Sequence, residues 1–171
     1  MRKAKDLTGR QIVSIDDGRI LGRVREVYFD RALNHLAGLH VGYEGVIDRS
    51  AKVIPREGLH FIGVDVVLVK SSEVVQNEAE SDAGNWTRRD KITGRDLVTA
   101  GGTKVAAVGD IILGNEGEVA GFTLGKSYIE SPVAQSGAVS RDAVVHTPSA
   151  DEKEPLVVDL EKAERESFSY E

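Results

Sequence analysis

The sequence predicts an all-β protein: two small antiparallel β-barrels in tandem, with little helix. Three observations carry that expectation. Leu7–Val13 reads LTGRQIV and Ile92–Val98 reads ITGRDLV, 85 positions on. Apolar, β-branched segments bounded by glycine turns follow each copy in the same order. No segment sustains helical periodicity over the length of an ordinary helix. Self-similarity at one spacing marks a structural unit used twice, and extended apolar runs between turn residues mark strands.

In the first copy, residues 10–15 (RQIVSI) form a strand that ends at Asp16-Asp17-Gly18. An Asp-Gly pair between apolar runs is a hairpin signal, because glycine accepts the positive φ of a tight turn. Residues 19–30 make a long second strand, with Gly22 as the place for a bulge or bend. Residues 35–43 and 51–54 supply two more strands. Pro55 breaks the chain, PREGLH connects, and 64–70 closes the unit.

The second copy repeats this order with strands at 95–100, 104–114, 118–125, 139–144 and 155–160, and Gly101-Gly102 replaces the first Asp-Gly turn. Small drifts in the spacing fall in loops, where they are tolerated. The predicted boundaries are therefore 1–75 for the first barrel, 76–87 for a flexible acidic linker, and 88–171 for the second barrel with a charged tail. Trp86 reads as the cap of a core. The tail from 161 onward is compatible with a short amphipathic helix or with disorder. An isolated sheet of five or six strands has exposed edges, and closure on itself removes them.

The net charge is −6, but it is unevenly shared. Residues 1–85 hold 12 Lys and Arg against 13 Asp and Glu, whereas 86–171 hold 10 against 15. An acidic total argues against a general nucleic-acid binder. Cysteine is absent, which removes disulfides, thiolate metal sites and thiol nucleophiles from consideration. The basic start MRKAKDL leads into no apolar stretch, so no secretory signal is read there. Apolar runs fall far short of the roughly 20 residues of a membrane helix. The expectation is a soluble, cytoplasmic protein.

The phrases LTGRQIV, DDGRILGRVREVYFD, LAGLHV and VIPREGLHFIGVDVVLV resemble the PRC-barrel domain family. That domain is found in the cytoplasmic part of the photosynthetic reaction-centre H subunit and in the C-terminal half of the bacterial ribosome maturation factor. The resemblance runs from Leu7 to about Val69 and, more loosely, over 92–160. In the second copy Ala106, Ala107 and Gly109 stand where the first has Gly22, Arg23 and Arg25, and Ser140 replaces Pro55. The resemblance implies an adaptor or assembly module and carries no catalytic residues.

Arg10, Arg19, Arg23, Arg25 and Arg31 form the candidate docking face. Arg23 and Arg25 flank Val24 and so share one side of a strand. Gly9 and Gly94 in the repeated phrase, and Gly18 in the turn, read as structural. Glu26 and Asp110 are acids held at equivalent positions of the two long strands. Such a charge holds a backbone amide or an arginine more readily than it performs acid–base chemistry. Residues 121–127, GFTLGKS, fall one residue short of the phosphate-binding spacing and read as a strand ending in a glycine turn. The four histidines show no paired metal-ligand spacing.

These readings predict a non-enzymatic protein-binding or assembly adaptor with no cofactor, no metal and no catalytic residue. The partner is expected to be a protein. RNA or a ribosomal protein contacted through the first barrel's arginines is a second expectation, and a peripheral role in assembling a photosynthetic complex is a third. Leftover strand edges and the Trp86 region are where two copies would associate.

Overall fold

The computed structural model describes residues 1–42, 51–147, 153–166 and 168. The first unit contains β1 (Arg2–Lys3), β2 (Gln11–Ser14), β3 (Ile20–Phe29), β4 (Leu36–Gly42), β5 (Lys52–Pro55), β6 (Leu59–Ile62), β7 (Val66–Val69) and β8 (Gln76–Asn77). Then come β9 (Thr87–Arg88), the single turn α1 (Arg89–Ile92), β10 (Asp96–Val98), β11 (Lys104–Leu113) and β12 (Val119–Ser127). The chain ends with α2 (Pro132–Ser136), β13 (Ala138–Ser140), β14 (Val144–His146), β15 (Leu156–Val158) and α3 (Leu160–Arg165). The protein is all-β, two curled sheets in tandem, with three short α-helices among the described residues.

The repeated LTGR/ITGR phrase is a turn that feeds each sheet. A 3₁₀ turn, Ala4–Leu7, ends at Thr8, and α1 ends at Thr93. Gly9 and Gly94 follow with φ of +87° and +84°, a region that costs any residue with a Cβ. Their amides donate to Val24 O at 2.7 Å and Val108 O at 2.8 Å. Arg10 and Arg95 close the turn by donating to Leu7 O and Ile92 O, both at 3.2 Å.

Each sheet keeps its neighbours in the same order. The first runs β6-β7-β2-β3-β4-β5-β8 and the second β13-β12-β11-β10-β15-β14. Neighbours are antiparallel except β2 with β7 and β10 with β15, which run parallel. No pairing joins the outer strands β6 and β8, so the edges that closure was expected to remove persist among the described residues.

The two units exchange strands. β1 pairs with β11, setting Arg2 opposite Leu113 and Lys3 opposite Ile112. β9 pairs with β3, setting Thr87 opposite Phe29 and Arg88 opposite Tyr28. Shifting the first pairing by the repeat spacing gives the second, so the units are related by an approximate two-fold. The hairpin turns interlock in the same way. Leu36 N donates to Gly117 O and Val119 N to Asn34 O, both at 2.8 Å, and His35 bridges Glu118. One apolar cluster spans both units, joining Leu7, Ile12 and Phe29 to Ile92, Leu97 and Phe122. Burial of that shared surface holds the units together.

Residues 76–87 differ from the flexible linker expected of their acidic composition. β8 pairs with β5, and Tyr28 Oη donates to Glu78 Oε1 at 2.6 Å. Ser81 Oγ accepts from Ala83 N at 3.1 Å. Ala83 and Trp86 pack on Tyr28 and Val53. The acids occupy short exposed turns, while two apolar residues anchor the segment against the first sheet. Trp86 thereby covers a small core, close enough that a Cβ on Gly38 would meet its ring at 2.7 Å.

Two other segments depart from the expected strands. β6 begins inside the predicted PREGLH connection and runs on to Ile62, and α2 lies between the expected strands 118–125 and 139–144. Ser131 caps α2 by accepting from Ala134 N at 3.1 Å, Pro132 suits its first turn, and Gly137 ends it at φ +74°. Asp159 caps α3 through Lys162 N at 3.0 Å, so the start of the tail is helical. Tyr43, Ser167 and residues 169–171, part of two expected segments, lie outside the described residues.

Candidate functional site

The five candidate arginines do not gather on one face. Arg10 donates to Gly63 O beside β6 and β7, and Arg23 donates to Gly9 O at 2.9 Å. Arg23 and Arg25 are exposed on the outer side of β3, flanking buried Val24. Arg19 precedes β3, whereas Arg31 follows it and donates to Asn85 O at 3.2 Å. A ten-residue strand spans about 30 Å, so the two ends of the arginine set are far apart.

Glu26 and Asp110 meet at the junction of the units. Both are 6% exposed. Glu26 Oε1 accepts from Val27 N at 2.9 Å, and Asp110 Oδ1 accepts from Ile111 N at 2.8 Å. Asp110 Oδ2 also accepts from Lys5 N at 3.0 Å, a backbone link from the first unit into the second. Arg89 bridges the acids, with Nε at 2.9 Å from Glu26 Oε1 and Nη1 at 3.6 Å from Asp110 Oδ1. Its counterpart in the first unit is Ala4, so one guanidinium serves both carboxylates. A buried charge pair tolerates burial only when its partners are all in place. The cluster is built to join, and it faces no cavity among those described.

The feature that sequence reasoning missed is a row of apolar side chains across the outside of the first sheet. Phe61 on β6 stands opposite Leu68 on β7, Leu68 opposite Val13 on β2, and Val13 opposite Ile20 on β3. Cross-strand partners share a face. Buried Ile12, Ser14, Val67 and Val69 alternate with partly exposed Val13 and Leu68, which assigns the row to the outer side. Phe61 is 60% exposed, Ile20 61%, and Val64 in the β6–β7 turn 81%. The next outward row runs Val66, Gln11 and Arg23, placing a cation beside the apolar one.

The second unit has the same geometry with different chemistry. There the row reads His146, Val157, Val98 and Lys104. Lys104 Nζ is 3.3 Å from Asp96 Oδ2, and Tyr128 Oη donates to Asp96 Oδ1 at 3.0 Å. Lys104 and Lys126 lie 5.6 and 5.5 Å from the Tyr128 ring centre. This face is polar and satisfied from within, so the apolar row is a property of the first unit and not of the fold. A contiguous exposed apolar patch with a polar rim is characteristic of interaction surfaces.

The remaining motifs have local explanations. GFTLGKS lies within β12. His60 and His146 are exposed on edge strands, and His35 faces Asp30 at 3.6 Å. His40 sits against Tyr28 with ring centres 6.4 Å apart, and its buried Nδ1 has no hydrogen-bond partner. Burial lowers its pKa, with Arg25 and Arg88 acting in the same direction and Glu78 and Glu26 opposing. Among the described residues, no set of three His, Cys, Asp or Glu side chains is placed to hold a metal ion. Nor is any helix there long and apolar enough to cross a membrane.

Fold and surface together define a tandem β module whose distinctive exterior belongs to one unit. Residues 1–81 match the PRC-barrel domain family. The matched region ends within the ordered connecting segment, before β9 and Arg89 complete the first unit. No curated protein matched the sequence.

Proposed function

We propose that this chain is a non-enzymatic protein-binding adaptor that docks its partner on the outer face of the first unit. The observation that carries this reading is the row Phe61–Leu68–Val13–Ile20, which breaks the symmetry of the two sheets. The same strands in the second unit put histidine and lysine where the first has phenylalanine and isoleucine. An apolar partner surface with an acidic margin matches this face, its acids meeting Arg19 and Arg23. RNA binding is the weaker reading, because Arg31 stands at the far end of β3 from Arg19 and the chain carries a net charge of −6. The lack of cysteine suits work in a reducing compartment.

The test exchanges the row ends for their counterparts, Ile20→Lys with Phe61→His, both at exposed positions. Affinity capture from the native cell with quantitative mass spectrometry should retain a partner on the wild type and lose it at least tenfold on the double variant. The thermal transition should stay in place. An unchanged set of retained proteins would sink the reading.

A further inference from the structure

The two interlocked turns differ in length by one residue: 31–34 lie between the bonded Asp30 and His35, and 115–117 between the bonded Gly114 and Glu118. Counted from the start of each turn, Leu33 and Gly117 occupy the same place, their amides donating to Asp30 O at 3.0 Å and Gly114 O at 3.2 Å, and Asn34 is the extra residue of the first turn. Both have positive φ, +56° and +85°. For a branched residue such as leucine this backbone is an outlier, held in place by surroundings that bury Leu33 completely. Leu33 belongs to the same apolar cluster as Val119 and Val144 of the second unit.

At the counterpart place the side chain is missing and a cleft of about 340 Å³ opens. Leu36, Leu59, Phe61, Ile62 and Gly117 line its apolar part, with Arg56 at the rim. Leu36 and Leu59 are the counterparts of Val119 and Val144. A Cβ built on Gly117 would touch only Leu36 Cβ, at an ordinary 3.6 Å. The space that Leu33 fills on one side of the two-fold is thus open on the other.

The arginines show the same broken symmetry. Arg141 closes the second unit's side, its Nε donating to Leu33 O at 2.9 Å and its Nη2 to Ala32 O at 2.8 Å. Its Nη1 donates to Val144 O at 2.7 Å. The equivalent Arg56 is exposed and, among the described residues, its side chain reaches only Glu116 O, at 3.5 Å. Arg56 therefore retains donors at the mouth of the cleft, and a guanidinium fork suits paired backbone carbonyls.

We infer that this cleft receives an aliphatic side chain, of leucine size, carried on a turn of a partner protein whose backbone carbonyls accept from Arg56. The occupied site across the two-fold supplies the pattern: a buried leucine at positive φ, latched by an arginine to neighbouring carbonyls. The cleft is continuous with the proposed docking face through Phe61, so the inference deepens that reading by naming what the partner presents. Such anchors, small buried apolar groups in a preformed pocket, dominate interfaces.

A cyclised peptide of residues 30–35, DRALNH, is the probe, with its leucine replaced by glycine as control. Methyl NMR of the full chain should show saturable shifts at Leu36, Leu59 and Ile62 with the leucine peptide, and at least tenfold weaker binding with the control. Gly117→Leu should fill the cleft and abolish the shifts, and Arg56→Gln, at an exposed position that leaves the fold alone, should weaken binding severalfold. Equal response to the two peptides, no response, or binding that survives Gly117→Leu overturns the inference. A concentration-dependent dimer by light scattering that Gly117→Leu converts to monomer overturns it in favour of a second copy. Peptide binding by the wild type, alongside partner capture that the Ile20→Lys, Phe61→His exchange leaves unchanged, separates a valid cleft from a failed docking face.

Discussion

Replacing Arg89 with methionine isolates the charge cluster that joins the units. At the observed 2.9 and 3.6 Å, each attraction is worth about 5 kcal/mol gross at an effective dielectric near 20. Desolvation offsets much of this, and breaking a buried pair by removing one partner costs about 3–5 kcal/mol. Arg89 retains 17% exposure, and both carboxylates keep backbone donors, which places the loss near the lower end, about 3 kcal/mol. At about 2–4 °C per kcal/mol for a chain of this size, the melting temperature should fall by roughly 6–12 °C. Urea denaturation followed by circular dichroism measures the loss directly. The neutral triple variant Glu26→Gln, Arg89→Met, Asp110→Asn keeps acceptors for the Val27 and Ile111 amides, and should recover more than half of it. A loss below about 1 kcal/mol, or a triple variant weaker than the single one, would refute the view that buried charge compensation governs this junction.

Two further outcomes follow from the exchanged strands and from His40. A fragment of residues 1–81 lacks β9, Arg89 and the second unit's share of the core, so calorimetry should find no cooperative transition. A sharp unfolding peak from the fragment would contradict the single shared core. Burial depresses the His40 pKa below its ordinary value, so folding favours the neutral imidazole. That stability is present above the unfolded value of about 6.5 and is lost as pH falls below it through the folded value. Denaturation midpoints between pH 8 and 5 should therefore fall less steeply for His40→Gln than for the wild type. Equal slopes would show that the imidazole is solvated.

Strands with enough residues to show alternation were legible, as were the turns that glycine and aspartate force. The repeated Thr-Gly-Arg phrase was legible for a covalent reason: its glycine must sit at positive φ in both units. Glu26 and Asp110 could be paired from position alone, since both lie on the long strands at matching places. Arg89 could not, because its counterpart is alanine and nothing in the repeat marks it. Two-residue strands such as β1 and β9 are too short to carry any period, and their partners lie in the other unit. β6 hid in a connection because its four residues point neither steadily inward nor steadily outward.

Composition and local pattern were sufficient to determine a duplicated all-β chain without cysteine, because backbone preferences and turn stereochemistry act over a few neighbours. Tertiary structure alone decided that the units swap strands and share one core, that the acidic connection is ordered, and that Phe61, Leu68, Val13 and Ile20 line up. Those outcomes depend on register between segments distant in sequence, where a shift of one residue would turn each side chain to the opposite face.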